Sequence, residues 1–306
     1  MLRNVWIIAL FLPGLLLAQY SRPGSADAQF LKIGVSPRGT GLGDAYISCV
    51  EGAEAAYYNP AALAWLKGTD VVFNHTEWFA EINHEFAAIA HTFGTLGTAA
   101  LSVTALYTDE MKVTTPLQPD GTGETFYAGN YRLGLSLARF LTDRVTIGGT
   151  VNYIHMSLYS DFTANAIAGD IALMYVTDFR GFSFGMKFAN FGSELKFVNE
   201  SYPLPTNFTF GLSMNAIEAG SQQLLVSVSA IKPNDEEPLG QVGGEWNWQK
   251  TLFLRAGYQV NHDVATYSLG AGVRVNILQR GLNVDYSMSE FSLLGFAHRF
   301  GLGIRL

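Results

Sequence analysis

Apolar and polar residues alternate along much of the chain beyond residue 69. In the stretch 265–277 one face carries Tyr267, Leu269, Ala271, Val273, Val275 and Ile277. The other face carries Thr266, Ser268, Gly270, Gly272, Arg274 and Asn276. The same period of two recurs at 131–138, 281–289 and 296–306. Because successive side chains of a strand point to opposite faces, these segments predict β-strands with one apolar face and one face of small or charged residues.

About fourteen such segments follow one another, each close to the roughly 9–11 residues that a tilted strand needs to cross a bilayer. They lie near 69–78, 84–93, 98–108, 126–141, 144–157, 164–177, 181–191, 207–215, 221–231, 239–248, 251–260, 265–277, 281–289 and 293–306. Short connections around 94–97, 142–143, 178–180, 216–220, 249–250 and 278–280 alternate with longer ones at 109–125, 158–163, 192–206 and 232–238. This alternation is typical of outer-membrane barrels, which have short periplasmic turns and longer external loops. The sequence therefore predicts an all-β fold: a transmembrane antiparallel β-barrel of about 14 strands over residues 69–306.

A soluble β-sandwich is the alternative fold, because its strands also alternate. Its polar face would meet water and would be rich in Lys, Glu and Asp. Here that face consists mostly of Gly, Ser, Thr, Ala and Asn, which suit a crowded lumen. A sheet that crosses hydrocarbon must also close on itself to pair its backbone groups. These points favour the barrel.

The composition indicates a chain in contact with lipid. Charged residues make up 15% of the 306 residues, whereas a soluble protein carries about a quarter. No internal apolar run approaches the roughly 18 residues of a membrane helix. The net charge is −7 and Lys and Arg form no cluster, which argues against a nucleic-acid surface. We expect outer-membrane lipid as a partner and no nucleic acid.

The amino terminus has the layout of a secretory signal peptide. Arg3 precedes an apolar run from Val5 to Ala18, and polar residues follow from Gln19. We expect cleavage after Ala18, so that residues 1–18 are a signal peptide and the protein is exported to the outer membrane. The single cysteine, Cys49, excludes an intrachain disulfide.

A glycine-rich stretch, "GTGLGDAYISCVEGAEAAYYNPA" at 39–61, precedes the first strand. A dinucleotide site would require G-x-G-x-x-G inside a βαβ unit, but Asp44 stands where the third glycine belongs and no such unit follows. Glycines also allow close backbone packing, Asp44 can cap a following helix, and Pro60 cannot continue one. Residues 19–68 are therefore predicted to form a compact plug inside the barrel.

Charged residues on the small-residue face of the strands are predicted to point into the lumen. They are Arg132, Asp170, Lys187, Glu245, Arg255, Arg274, Asp285, Arg299 and Arg305. Both signs are present, so we expect these side chains to pair across the lumen or with the plug. A selectivity filter is the alternative.

Catalysis has little support in the sequence. The six histidines are dispersed, no HExxH motif occurs, and a lone cysteine provides no thiolate metal site. No G-x-S-x-G nucleophile elbow is present. We expect no cofactor, no metal and no enzymatic activity, with a barrel lipase that uses a surface serine and histidine as the remaining alternative.

The plug stretch resembles the PorV/PorQ family of bacterial outer-membrane proteins, relatives of the FadL-type fatty-acid transport proteins. The resemblance lies in "GLGDAY" at 41–46, "YYNPAAL" at 57–63 and a barrel of this size. It implies an amino-terminal hatch that closes the lumen, built from Gly41, Gly43, Asp44, Asn59, Pro60 and Ala61. One departure is the carboxy terminus, which ends in Leu306 and not in the aromatic residue usual for such barrels.

The resemblance implies two functions. PorV-like proteins act in type nine secretion, where they receive exported proteins bearing a carboxy-terminal sorting domain and work with other secretion components. FadL-like proteins pass long-chain fatty acids or other hydrophobic compounds through the outer membrane. The first function is expected here, the second is the alternative, and a passive structural barrel is a third possibility.

Apolar residues in the predicted outer loops are candidates for binding either a secreted protein or a hydrophobic small molecule. They are Trp78, Phe79, Ile82, Met111, Val113, Leu117, Tyr202 and Leu204. The alternative for each loop is that these side chains fold onto the rim of the barrel.

Overall fold

The computed structural model describes residues 22–159, 162–262, 264–277 and 280–306. Within these residues, fourteen antiparallel strands form a closed barrel in which each strand pairs with its neighbours and β14 pairs with β1. The strands are β1 Thr69–Glu77, β2 Ile82–Thr92, β3 Thr98–Thr108, β4 Gly129–Phe140, β5 Val145–Tyr159, β6 Phe162–Val176, β7 Ser183–Gly192, β8 Asn207–Ala219, β9 Gln222–Pro233, β10 Leu239–Trp248, β11 Leu252–Val260, β12 Tyr267–Ile277, β13 Arg280–Glu290 and β14 Phe296–Arg305. The predicted signal peptide at 1–18 lies outside the described residues.

The exterior of the barrel is apolar. On β4, Leu133, Leu135 and Leu137 are 47%, 57% and 63% exposed, whereas Gly134 and Ser136 between them are buried. Such a surface requires hydrocarbon around it, and closed antiparallel barrels are the β-structures that span bacterial outer membranes. The prediction of a transmembrane antiparallel β-barrel of about 14 strands is confirmed, and the apolar exterior fits the predicted outer-membrane location.

Among the residues that the structure describes, none of the helices combines the length and the hydropathy that crossing a bilayer requires.

The two ends of the barrel differ in their connections. Short turns close one end, here called the turn end, where β1 also begins and β14 finishes. Thr69 and Leu306 meet there through two backbone hydrogen bonds of 3.2 and 2.8 Å. The opposite loop end carries the longer connections at 109–128, 193–206 and 234–238. The predicted loop 158–163 is shorter than expected, because pairing between β5 and β6 continues to Tyr159 and Phe162.

Residues 22–68, here called the N-terminal segment, form short helices: Gln29–Lys32, α1 Pro37–Gly41, Gly52–Glu54, α2 Ala55–Tyr58 and Pro60–Trp65. Ser36 caps α1, accepting a hydrogen bond from the Gly39 N–H at 3.2 Å, and Pro37 occupies the first helical position. The prediction that Asp44 caps a helix is wrong. Asp44 lies in a turn at φ 61°, and no helix begins until Gly52.

The N-terminal segment lies inside the barrel and runs from one end to the other. At the loop end, Lys32 Nζ is 2.7 Å from the buried carboxylate of Asp235. At the turn end, the Ala53 N–H donates to Asp70 Oδ2 at 2.7 Å. Between these points, side chains of the segment and inward residues of the wall form one buried cluster that includes Leu42, Tyr46, Leu63 and Phe86.

A buried ion pair secures the wall where β6 and β7 shift register. Arg132 Nη2 is 3.0 Å from Asp170 Oδ2, and Arg132 Nε donates to Asn152 Oδ1 at 2.9 Å. The other oxygen of Asp170 accepts the Asn190 N–H at 2.8 Å. Asn190 belongs to a bulge in β7, because Gly169 pairs with Phe191 whereas Ile171 pairs with Phe188.

Substitution of Asp170 by alanine should destabilise the barrel strongly, because it leaves the Arg132 guanidinium buried without a counter-charge. The expected cost is about 3–5 kcal/mol. It should appear as a lower temperature at which the folded electrophoretic form converts to the unfolded one. Asp178→Ala is the matched control, since it removes the carboxylate of the exposed Arg144–Asp178 pair, where the cost is at most about 1 kcal/mol. Equal conversion temperatures for the two variants would contradict this account.

Candidate binding site in the barrel lumen

The backbone of the N-terminal segment passes very close to glycines of the inner wall. A Cβ added to Gly257 on β11 would overlap the backbone of Leu42 and Gly43. On the opposite wall, a Cβ on Gly148 of β5 would overlap the backbone of Pro60 and Ala61. The wall therefore has no side chain at these two contacts between backbones.

The six predicted hatch residues divide into two groups. Gly41, Gly43 and Asp44 lie against β11 and β12, where the Gly43 N–H donates to Ser268 Oγ at 3.1 Å and Gln259 Nε2 donates to Asp44 at 3.1 Å. Pro60 and Ala61 lie against Gly148 of β5, and Asn59 lies against Gly185 of β7.

Asn59 connects the two groups. It is fully buried, accepts the Ala61 N–H at 3.1 Å and donates through Nδ2 to the Ile47 carbonyl at 2.9 Å. Asn59 therefore caps the Pro60–Trp65 helix and also ties it to the preceding part of the segment.

A chain of ion pairs joins the segment to the wall. Arg38 of α1 binds Glu245 at 2.8 Å, Glu245 binds Arg255 at 2.6 Å, and Arg255 binds Asp285 at 2.6 Å. The three wall residues are among the predicted lumen charges, whereas Arg38 is not. The sequence feature that could have identified Arg38 is its position as the one basic residue of the nearly uncharged stretch 33–50.

Two further lumen residues pair at the turn end. Arg305 lies 3.2 Å from Asp70, and Arg274 lies 3.9 Å from Glu51 of the segment. Together with the Arg132–Asp170 pair, these contacts account for seven of the nine predicted lumen charges: Arg132, Asp170, Glu245, Arg255, Asp285, Arg274 and Arg305.

Lys187 and Arg299 are different, because neither forms an ion pair within the described part of the chain. Lys187 Nζ donates to the Tyr57 carbonyl at 2.5 Å. Arg299 Nη1 donates to Ser289 Oγ at 3.1 Å, and its guanidinium lies 5.4 Å from the centre of the Trp78 ring. Arg299 Nε is buried and has no hydrogen-bond partner among the described residues.

Burial also affects the acidic groups of the segment. It raises the pKa of the Asp44 carboxyl, although the nearby Arg299 lowers the same pKa. It likewise raises the pKa of Glu54, which accepts hydrogen bonds from Ser36, Tyr46 and Asn74. Dehydration therefore outweighs the nearby charges and hydrogen bonds at these two carboxyl groups.

Two cavities lie on either side of the segment. The loop-end cavity has a volume of about 400 Å³, and its apolar lining includes Ile33, Trp78, Phe79, Ile231, Leu239 and Phe291. Lys187 and Arg299 also line it, with Asp44 and Tyr58 of the segment. The turn-end cavity has a volume of about 580 Å³, is lined by Arg38, Glu51, Trp65, Arg274 and Arg305 among others, and shares no lining residue with the first.

The predicted loop residues occupy different environments. Trp78 and Phe79 pack with Phe291, with ring centroids 4.8–5.1 Å apart, at the mouth of the loop-end cavity. Ile82 opens β2 and is half-buried.

A small hairpin in the 109–128 loop pairs Met111–Lys112 with Thr125–Phe126. Met111 and Val113 are half-buried there, and Leu117 at its tip is 93% exposed.

The 193–206 loop has a similar hairpin, in which Tyr202 pairs with Leu195 and is 40% exposed. Leu204 is only 2% exposed. It packs in a cluster with Leu31 of the N-terminal segment and Ile154 of β5. The expectation that Leu204 is an exposed binding residue is therefore wrong, because the segment covers it.

No protein-family model matches this chain, and no curated protein does. Several solved structures share its fold. The CymD monoaromatic hydrocarbon channel is 13% identical at a TM-score of 0.55, with 89% of this chain and 96% of that chain covered. The Ralstonia pickettii toluene transporter TbuX is 14% identical at 0.56, covering 89% and 97%. A Pseudomonas aeruginosa FadL homologue is 11% identical at 0.56, covering 88% and 97%. At this identity the likeness establishes a common fold: the chain is a 14-strand barrel similar to the FadL-type outer-membrane channels.

Proposed function

We propose that the protein passes small hydrophobic molecules across the outer membrane and that the loop-end cavity is where they first bind. The observation that carries this proposal is an apolar, aromatic-lined cavity of about 400 Å³ at the loop end. Its volume lies within the roughly 300–1,000 Å³ of small-molecule sites. Two of the structural neighbours, a monoaromatic hydrocarbon channel and a toluene transporter, support the same function.

The cavity also favours a particular kind of hydrophobic molecule. Lys187 and Arg299 line it, and neither forms a direct ion pair among the described residues, although Asp44 and Glu236 line the same cavity. A buried cation without a direct ion-pair partner is costly, and a ligand carboxylate lowers that cost while its chain occupies the apolar part of the cavity. Long-chain fatty acids fit this arrangement better than neutral hydrocarbons.

The N-terminal segment is the closing element in this proposal. It separates the two cavities, and its backbone contacts glycines on opposite walls. Movement of the segment away from either wall would connect the loop-end cavity with the turn-end cavity. Asn59, Pro60, Ala61 and the stretch 41–44 are the contact points that such a movement must break.

The type nine secretion role implied by the PorV/PorQ resemblance stays a prediction. Leu117 and Tyr202 remain exposed for a protein partner. Trp78 and Phe79 instead line the small-molecule cavity, and the neighbours described above are channels for small molecules. Transport of hydrophobic compounds is therefore the better-supported function. If a strain that lacks this gene carries the same surface proteins with sorting domains as the parent strain, the protein has no role in their secretion.

Substitution of Arg299 by methionine should lower the uptake of a long-chain fatty acid about tenfold, because it removes one hydrogen-bonded charge interaction with the ligand. Toluene uptake should be unchanged, because the apolar part of the cavity is retained. Both rates are measured in a deletion strain that carries the variant.

Arg305→Met is the matched control, because Arg305 lies on the same strand and the same inner face but does not line the loop-end cavity. Wild-type fatty-acid uptake by Arg299→Met would contradict the headgroup role. If the wild-type protein accelerates the entry of neither compound, the transport proposal itself fails.

Substitution of Gly257 by valine should open the lumen, because the new side chain overlaps the backbone of Gly43 and forces the segment away from β11. We expect a higher ion conductance per molecule in planar bilayers. Gly244→Val is the control, since a Cβ at Gly244 on the outer face meets only the Leu225 carbonyl, at 3.9 Å. Equal conductance of Gly257→Val and Gly244→Val would show that the segment does not close the lumen.

A further inference from the structure

The outer wall has a groove near the turn end, across β3 to β6. It has a volume of about 620 Å³ and is lined by Leu96, Ala99, Leu137, Ile147, Gly149 and Ile171, with Arg139 beside them. The groove exists because Ala99 and Gly149 stand between larger residues on the outward face. Its lining faces the bilayer, so an occupant must come from the membrane.

Arg139 is the charged residue of this groove. It lies on the outward face of β4, one residue before the strand ends, and is exposed. It forms neither an ion pair nor a side-chain hydrogen bond within the described part of the chain. Arginine is costly on the lipid face of a barrel at the midplane but nearly free of cost close to the interface. The place of Arg139 next to the end of β4 therefore fits a position close to the membrane interface.

The charges around the barrel ends point to an anionic partner at this end. In the turns and the adjoining strand ends, the exposed basic residues are Arg139, Arg144, Arg180, Lys250 and Arg280. The exposed acidic residues there are Asp143, Asp178 and Glu218. At the loop end, the exposed acidic residues include Glu77, Glu81, Asp109, Glu110, Asp120, Glu124, Glu194 and Glu200. The exposed basic residues there include Arg22, Lys112 and Lys196. The excess of basic over acidic side chains at the turn end attracts anionic headgroups, and the acidic loop end repels them.

We propose that this groove is a binding site for one anionic phospholipid of the adjacent leaflet. An acyl chain lies in the groove over Ala99 and Gly149, and the phosphate accepts hydrogen bonds from Arg139. The site is on the outer wall, separate from the lumen cavities, and it does not depend on the transport function proposed above.

The test is native mass spectrometry of the mature protein in detergent, mixed with equal amounts of phosphatidylglycerol and phosphatidylethanolamine that carry the same acyl chains. The wild type should retain one phosphatidylglycerol about five-fold in preference to phosphatidylethanolamine, which is the effect of one interfacial ion pair. Arg139→Gln should abolish this preference. Ala99→Trp, which fills the groove without a change of charge, should lower retention of both lipids.

Arg280→Gln is the matched control, because it removes the same charge at the turn end on the far side of the barrel. It should leave the preference intact. Three results would overturn the proposal: equal retention of the two lipids by the wild type, an equal effect of Arg280→Gln and Arg139→Gln, or a dimer mass that Ala99→Trp removes. The second result indicates a diffuse basic ring, and the third indicates a second copy of the chain as the occupant.

Discussion

The architecture depends on one constraint: in hydrocarbon, every backbone N–H and C=O must be paired within the protein. The strands satisfy it by closing β1 on β14, with Thr69 and Leu306 bonded at the seam. The outward face is apolar because it meets hydrocarbon, and closure leaves an enclosed bore of fixed width. A bore of fourteen strands is too wide for the wall's own side chains to fill. The N-terminal segment occupies part of it, between the two cavities.

The filling of the bore uses two kinds of contact. Where backbone meets backbone, as at Gly257 and Gly148, the wall has no side chains. Where charges meet, as in the chain from Arg38 through Glu245 to Arg255, each group has a partner at 2.6–2.8 Å. Buried charges are tolerated when they are paired in this way. Lys187 and Arg299, which form no ion pair among the described residues, line the loop-end cavity together with apolar and aromatic side chains, and this contrast makes that cavity the candidate site.

The sequence predicts local features well and distant contacts poorly. The strand positions followed from a period of two, which each segment displays by itself. The inward direction of Arg132 and Glu245 followed from the same parity. The partner of Arg38 was not predictable, because Glu245 is 207 positions away. Leu204 was misjudged because the residues that cover it belong to the N-terminal segment and to β5. The Asp44 cap failed because the chain turns at that residue with a positive φ.

The path of the N-terminal segment connects the two rims of the barrel. Its beginning contacts the 234–238 loop through Lys32, and its end joins β1 at the opposite rim. Residues 32–68 therefore form one covalent link between the rims that runs through the interior of the barrel, in addition to the strands of its wall.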